Sequence, residues 1–194
     1  MPRIVDHEAR RRELAASVWA LIRESGLEAV TIRAVAERSG WSSGAVRHYL
    51  PTRDEILAFA AQLVVEEVRK NLEAQPLTGD PLADFRTVLL ATLPQDDESR
   101  AALEIWLAFV GAAVSGQEAA QHALLYDDLH AFISDTLGEF ARNGWLDTGD
   151  VAAEAIELHG LLDGLAVHLL LRQITEAEAE QAIARWLDRT LHQP

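Results

Sequence analysis

The amino-acid sequence predicts an all-α fold, with a small N-terminal head followed by a larger helical body. Apolar residues recur at i, i+3 and i+4 along most of the 194 residues, which is the period of an amphipathic helix. Proline, glycine and capping residues divide the chain into segments of helical length, and no segment shows the apolar–polar alternation of a half-buried strand. With 49 % hydrophobic residues, the chain can bury a sizeable core in one or two domains.

Capping residues define four helices in the N-terminal part of the chain. Thr31 can accept a hydrogen bond from the first turn of the second helix, and Gly40 can end that helix in the left-handed conformation. Either Ser42 or Ser43 can cap the third helix, which Pro51 ends because proline has no backbone N–H. The predicted bounds are about 6–25 for the first helix, 44–50 for the third, and 53–74 for the fourth, which the Thr52–Glu55 capping box begins.

Five further helices are predicted in the body. Asp80 and Pro81 form an N-cap and a first helical position after a break rich in proline and glycine. Ser99 is the predicted start of the next helix, and Gly144 ends the long one that follows. A capping box that begins at Thr175 opens the last helix. The predicted ranges are about 81–93, 99–115, 117–143, 151–172 and 176–192.

The second and third helices form a predicted helix-turn-helix, whose second helix carries side chains suited to DNA. Two short helices joined by a tight turn place the second helix in the major groove. Arg47 can bind guanine O6 and N7 or a phosphate, whereas Ser43 and Tyr49 suit phosphate oxygens. The alternative is an ordinary helical turn with a solvated polar face.

The first 57 residues resemble the TetR family of bacterial transcriptional regulators. The matching motifs are Thr31-Ile32-Arg33, Val35-Ala36, Ser39-Gly40, Ser43-Gly44, Val46, His48-Tyr49 and Pro51-Thr52-Arg53-Asp54-Glu55-Ile56-Leu57. Leu50 replaces the usual Phe as an apolar plug, Arg53 replaces the usual Lys as a cation for phosphate, and Trp41 is bulkier than the usual small aliphatic residue. The resemblance implies a DNA-binding domain at 1–52 and an effector-binding and dimerisation domain at 53–194. The DNA contacts that we predict are Thr31, Arg33, Ser42, Ser43, Ala45, Arg47, His48, Tyr49 and Arg53.

The charge of the chain is divided between head and body. The whole chain has a net charge of −14, which by itself argues against a nucleic-acid partner. Residues 1–53, however, carry nine Arg and six acidic residues, a net charge of +3, while the remainder carries −17. Only the head can therefore approach a phosphate backbone favourably. The Arg10–Arg12 run is interpreted as a solvated face with some phosphate contact.

The last two helices carry more apolar surface than one side of a helix needs. Residues 156–171 are apolar nearly all round, and the final helix has a stripe at i, i+3 and i+4 spacing. The residues alone leave an intramolecular core and a subunit interface equally open. The family resemblance implies a homodimer formed by these two helices in a four-helix bundle. The dimer contacts that we predict are Leu158, Leu162, Leu165, Leu169, Ile183, Trp186 and Leu187.

The body is similar to the BetI-type branch of the family in three segments, 106–109, 126–129 and 163–166. This similarity implies a small-molecule effector bound between the middle helices. The candidate contacts are Trp106, Phe109, Val110, Tyr126, His130, His159 and Asp163, for which an ordinary place in the core is the alternative. Trp106 and Tyr126, with acids such as Asp127 nearby, could enclose a quaternary amine, but they would equally line a pocket for a neutral lipophile.

Other classes of protein lack support in the sequence. There is no Cys and no H-E-x-x-H motif, and His168 lies off the helix face shared by His159 and Asp163, so neither a metal site nor a cofactor is predicted. No nucleophile elbow or glycine-rich phosphate loop is present, which argues against an enzyme. Without a signal peptide or an apolar run of about 18 residues, we expect a soluble cytoplasmic protein with no membrane partner.

The sequence, together with its resemblance to the TetR family, predicts a homodimeric, ligand-responsive transcription factor, a repressor rather than an activator, that binds a palindromic double-stranded DNA operator. The alternative is a helical ligand-binding or protein-interaction module without specific DNA recognition.

Overall fold

A computed structural model of the chain describes residues 7–115, 124–146 and 150–192, with side chains described for 10–115, 128–146 and 150–192. In these ranges the chain is helical without any strand, and an isolated bridge pairs Leu146 with Leu191. The predicted all-α fold is confirmed. The helices are α1 His7–Ser25, α2 Ile32–Ser39, α3 Ser43–Tyr49, α4 Arg53–Glu73, α5 Pro81–Ala91, α6 Asp97–Val114, α7 Leu124–Arg142, α8 Val151–Leu170 and α9 Glu176–Thr190.

The chain forms two compact units. Among the described residues, the first comprises 7–67 and 101–115, and the second comprises 68–100, 124–146 and 150–192. Helices α4 and α6 therefore contribute residues to both units. The functional division that we predict after residue 52 stays a prediction.

The first unit is built around the buried side of α1. Leu14, Val18 and Ile22 lie one helical turn apart on α1 and are buried, and α1 contacts both α2 and α3. The indole Nε1 of Trp19 donates to the carbonyl of Ala60 at 3.1 Å, which satisfies a polar group beside this core. The packing fixes the two short helices of the head, since neither is long enough to be stable alone.

The second unit is a bundle of α5, α7, α8 and α9. Helix α8 packs against α7 and α9, and α9 also packs against α5. Phe140 forms an edge-to-face contact with Phe85 at 5.5 Å and stacks on Trp145 at 5.2 Å. The backbone N–H of His192 donates to the carbonyl of Trp145 at 2.7 Å, which ties the residues after α9 to those after α7.

Most helix starts agree with the sequence, and one differs. Helix α6 begins at Asp97 rather than at Ser99. The carboxylate of Asp96 accepts from the backbone N–H of Ser99 at 2.7 Å, and this hydrogen bond holds the pKa of Asp96 below its ordinary value. The cap of α6 is therefore Asp96, and the prediction of Ser99 as its first residue is wrong, because Ser99 already lies inside the first turn.

Two predicted features fall partly outside the described residues. The helix predicted at 117–143 corresponds to α7, and its first part, through residue 123, lies outside the described residues. The turn predicted at 147–150 likewise includes residues outside them. Across the part of the chain that the structure describes, no helix is both long and apolar enough to cross a membrane.

Candidate nucleic-acid interface

Local hydrogen bonds and buried side chains hold α2 and α3 as a helix-turn-helix. The Thr31 hydroxyl accepts from the backbone N–H of Ala34, and the Ser42 hydroxyl accepts from that of Ala45, both at 3.1 Å. Ser42 rather than Ser43 is thus the cap of α3. Between the helices, Gly40 has a φ of 72°, in the left-handed region that glycine adopts at no steric cost.

One side of α3 is anchored in the core and the other faces solvent. Val46 and Leu50 are buried against the rest of the head, and Leu50 fills the apolar position at which the family that the sequence resembles usually has Phe. Of the predicted DNA contacts at this helix, Ser42, Arg47 and His48 are exposed, and Ser43, Ala45 and Tyr49 are half-buried. On α2, Arg33 is exposed, as is its cap Thr31. The structure thus presents these residues on accessible parts of one motif.

The arginines of the head differ in whether they form an ion pair with an acidic residue. Arg38 binds Glu24 with two hydrogen bonds of 2.6 Å, which lower the pKa of Glu24 and raise that of Arg38. Arg23 pairs with Glu104. Arg33 and Arg47 have no ion-pair partner among the residues that the structure describes. An exposed guanidinium without an acidic partner can bind an anion without first giving up an ion pair.

Arg53 holds the loop between α1 and α2. Its Nε donates to the carbonyl of Val30 at 3.0 Å, and its Nη2 donates to the carbonyl of Leu27 at 2.9 Å. Glu28 lies 3.7 Å from the same guanidinium. The contact with phosphate that the sequence predicts for Arg53 stays a prediction, but the geometry gives this side chain a structural task that the sequence did not reveal.

Trp41 lies at the centre of a cluster of side chains. From the sequence, Trp41 stands out only as an unusually bulky turn residue, and its partners cannot be seen. Its indole Nε1 donates to Glu13 at 3.2 Å, and Arg10 lies over its ring at 5.5 Å while binding Glu13 at 2.7 Å. The rings of Trp41 and Tyr49 meet edge to face at 5.5 Å. The signal that points to this cluster is the bulk of an aromatic residue where a small aliphatic one is usual.

The candidate effector contacts fall into two groups. Trp106, Phe109 and Val110 belong to α6 in the first unit; Phe109 is only 2 % exposed, as expected of a core residue, and Trp106 is half-buried. The side chain of Tyr126 lies outside the described side chains. The other group, His130, His159 and Asp163, lies in the second unit.

His130, His159 and Asp163 form a contiguous polar cluster on α7 and α8. The Nδ1 atoms of the two histidines are 3.4 Å apart, their rings are stacked, and Nε2 of His159 is 3.9 Å from a carboxylate oxygen of Asp163. Burial lowers the pKa of His159, the charge of Asp163 opposes that effect, and His130 adds to it. His159 is thus held neutral inside the bundle, where it can exchange a hydrogen bond but does not readily accept a second proton.

The residues predicted to form the dimer contacts lie mostly inside a single chain. Leu165 is half-buried and the other six are buried, so they pack α8 and α9 within the second unit. The exposed apolar side of α8 is formed instead by Ile156, Gly160 and Gly164, with Leu171 just after the helix. These four residues share one helix face by spacing.

No group of three or more His, Cys, Asp or Glu side chains that could hold a metal ion occurs among the described residues.

A helix-turn-helix with an exposed polar helix, joined to a helical body, defines the class as a helix-turn-helix regulator. Residues 15–59 match the family described as "Bacterial regulatory proteins, tetR family", and residues 81–192 match "BetI-type transcriptional repressor, C-terminal". The chain is 35 % identical over 183 residues to the HTH-type transcriptional regulator PksA of Bacillus subtilis, covering 88 % of this chain and 83 % of that protein.

Two solved structures share the fold along nearly the whole chain. A putative transcriptional regulator from Pseudomonas aeruginosa PAO1 is 26 % identical with a TM-score of 0.77, covering 95 % of this chain and 91 % of that one. A putative transcriptional regulator from Saccharomonospora viridis, in complex with choline, is 20 % identical with a TM-score of 0.77, covering 96 % and 100 %. The chain belongs to the TetR family of transcriptional regulators, and the named relatives are regulators rather than enzymes.

Proposed function

We propose that this protein is a cytoplasmic repressor that binds a palindromic DNA operator as a homodimer and releases it when a small molecule binds the body. The observation that carries the proposal is the exposed Arg47, which has no ion-pair partner among the described residues and lies on a short helix whose other side is anchored by Val46 and Leu50. The match of the body to BetI-type repressors supports the repressor role. We place the DNA-binding domain at residues 1–52 and the effector-binding and dimerisation domain at 53–194.

Base contacts and phosphate contacts have different roles at the operator. Arg47 is the candidate for reading a base, because a guanidinium can bind guanine O6 and N7 with two parallel hydrogen bonds. Arg33 and the hydroxyls of Thr31, Ser43 and Tyr49 suit phosphate oxygens, which position the head without reading sequence. The net charge of −17 beyond residue 53 supports an approach to DNA through the head alone.

The exposed side of α8 supports a dimer. Ile156 is 65 % exposed and Leu171 is 64 % exposed, and a Cβ built at Gly160 or Gly164 would meet no atom within 4 Å. Each helical glycine costs about 0.5–1 kcal/mol relative to alanine, and no contact within the described residues requires either of them. A second copy whose α8 packs closely on this face would bury the apolar side chains and use the space beside the glycines.

A matched pair of variants tests this interface. Ile156→Arg places a charge on the exposed face of α8, whereas Leu77→Arg makes the same type of change at a loop position that is 61 % exposed. We expect light scattering to give the mass of a dimer for the wild type and for Leu77→Arg, and the mass of a monomer for Ile156→Arg. A dimeric Ile156→Arg protein would contradict this interface.

The polar cluster of His130, His159 and Asp163 in the second unit supplies the candidate effector chemistry. The carboxylate of Asp163, beside the stacked rings of His130 and His159, is an acidic group that suits a cation such as a quaternary amine, and a fold neighbour carries choline. An effector lowers operator affinity only to the extent that it prefers the conformation that does not bind DNA. A coupling of about 3 kcal/mol would weaken operator binding roughly 150-fold, enough to switch a gene.

The effector hypothesis has its own test. If the quaternary-amine version holds, saturating choline or betaine should raise the melting temperature and release bound DNA. If neither ligand changes either quantity, the quaternary-amine version is excluded and neutral lipophiles become the next candidates.

The DNA-binding function is tested by selection from random duplex DNA. Purified wild type should enrich a palindrome whose half-sites lie about one helical turn, ~34 Å, apart. Arg47→Ala should weaken binding to the selected duplex by about 1–3 kcal/mol per head. The control Arg142→Ala removes an exposed arginine from α7 and should bind as the wild type does. Failure of the wild type to enrich any sequence would leave the protein as a helical ligand-binding or interaction module.

A further inference from the structure

Trp41 joins three elements of the head that are distant in sequence. It lies in the turn between α2 and α3, it contacts Glu13 on α1 through its indole N–H, and it contacts Tyr49 at the end of α3 through its ring. A small aliphatic residue at this position could make neither the hydrogen bond nor the aromatic contact. The cluster of Arg10, Glu13, Trp41 and Tyr49 is called the Trp41 cluster below.

The carboxylate of Glu13 fixes the indole of Trp41. One of its oxygens accepts from Nε1 of Trp41 at 3.2 Å, and the other accepts from Nη1 of Arg10 at 2.7 Å. The Arg10 guanidinium is in turn held over the indole face at 5.5 Å. Hydrogen bonds from Arg10 and Trp41 hold the pKa of Glu13 below its ordinary value, so the carboxylate stays ionised and keeps both donors.

The ring of Tyr49 contacts two other rings of the head. It meets the ring of Trp41 at 5.5 Å with an interplanar angle of 72°, and the ring of His48 at 5.0 Å with an angle of 84°. Edge-to-face contacts of this kind prefer a particular ring orientation. Because the hydroxyl oxygen of tyrosine lies on the long axis of the ring, contacts that hold the ring in place also hold that oxygen in place. Arg10 neutralises Glu13, so the acidic anchor of the Trp41 cluster adds little repulsion towards a phosphate.

We propose that Trp41 is a positioning residue for DNA binding, which holds the Tyr49 side chain in the orientation that contacts a backbone phosphate, with Glu13 as the anchor of the indole. The proposal rests on the proposed DNA-binding function. It assigns a role to a residue that does not itself need to touch DNA.

A double-mutant cycle on the selected duplex tests the proposal. Tyr49→Phe removes the hydroxyl and should weaken binding about fivefold per head in the wild-type background, the fold-change that corresponds to one hydrogen bond of about 1 kcal/mol. In a Trp41→Val background the same change should weaken binding less than twofold, because the hydroxyl is already misdirected. Trp41→Phe, which keeps an aromatic ring beside Tyr49, should bind within about threefold of the wild type.

Two controls separate positioning from a loss of fold. All variants are compared at a temperature where circular dichroism shows each to be folded. If Trp41→Val does not fold, Trp41→Phe provides the conservative variant. In the Trp41→Phe background, Tyr49→Phe should retain most of its effect on DNA affinity. The slope of log affinity against log salt should be unchanged in Trp41→Val, because no ionic phosphate contact is lost, whereas a lost Arg or Lys contact lowers that slope by about one.

The outcomes are distinguishable. If the effects of the Trp41 and Tyr49 changes multiply independently while the wild type binds the selected duplex tightly, Trp41 does not position Tyr49, and the proposed function is untouched. If the wild type selects no duplex at all, both the proposed function and the positioning role of Trp41 are overturned.

Discussion

Replacing Arg53 with lysine tests whether this residue holds the head together or only supplies charge for a phosphate. The guanidinium donates to two carbonyls, those of Leu27 and Val30, through two different nitrogen atoms. A lysine ammonium keeps the positive charge, but it lacks the planar fork that can reach both carbonyls at once. The substitution therefore separates the two roles.

The magnitude follows from the two hydrogen bonds. Each bond from a charged donor contributes about 1.5–3 kcal/mol when well shielded. The Arg53 side chain is 39 % exposed, so water replaces part of what is lost and the lower end applies. We expect Arg53→Lys to lower the free energy of unfolding by about 1–2 kcal/mol, equivalent to roughly 2–8 °C in melting temperature for a chain of this size.

Urea unfolding followed by circular dichroism measures this change directly. Arg33→Lys provides the control, since Arg33 is also an exposed arginine of the head and has no ion-pair partner among the described residues. The control should unfold with the wild-type midpoint. If Arg53→Lys also unfolds with the wild-type midpoint while its DNA affinity falls, Arg53 acts as a phosphate ligand and does not hold the loop between α1 and α2.

Two further predictions concern the stability of the body. Thr175→Ala removes the capping box of α9, in which the Thr175 hydroxyl accepts from the N–H of Glu178, and should lower the free energy of unfolding in urea by about 1 kcal/mol. In the control Thr87→Ala, the lost hydroxyl donates only to a carbonyl of its own helix, so the free energy of unfolding should hardly change. Equal losses in the two variants would refute the stabilising role of the cap. Because the folded-state pKa of His159 lies below the ordinary 6.5, the unfolded chain binds more protons as pH falls below about 6.5, so stability should decline there by at most about 1.4 kcal/mol per pH unit. His159→Phe should be less sensitive than the wild type between pH 7.5 and 5.5, whereas the exposed His168→Gln should behave as the wild type; identical pH profiles for all three proteins would contradict the assignment.

Features that depend on neighbouring residues in sequence could be predicted well. The cap at Thr31, the left-handed Gly40 and the apolar anchor at Leu50 are all present in the structure, because each depends on local backbone chemistry or on helical period. The predicted start of α6 lies two residues too late, because Asp96 and Ser99 are both good capping residues three positions apart. Each of the two side chains accepts from the other's backbone N–H, and only the structure shows that Asp96 lies just before the first helical residue, Asp97.

Features that depend on contacts between distant residues could not be predicted. A helix that is apolar nearly all round, as α8 is, gives no period from which to decide which side faces its own subunit. The residues on its exposed side include two glycines, Gly160 and Gly164, which a search for large apolar side chains passes over. Likewise, Arg53 resembles a phosphate ligand in sequence until its carbonyl partners 23 and 26 residues away are known.

The central claim, sequence-selective DNA binding by the head, is tested most directly by fluorescence anisotropy with two duplexes, the one selected by the wild type and a scrambled version of it. Both affinities should fall as salt rises between about 50 and 200 mM, since the head neutralises phosphates on either duplex. The selected duplex should remain bound at least about 1,000-fold more tightly throughout. Equal affinities for the two duplexes would contradict the account, because they would leave Arg47 and its neighbours as a charged surface that reads no sequence.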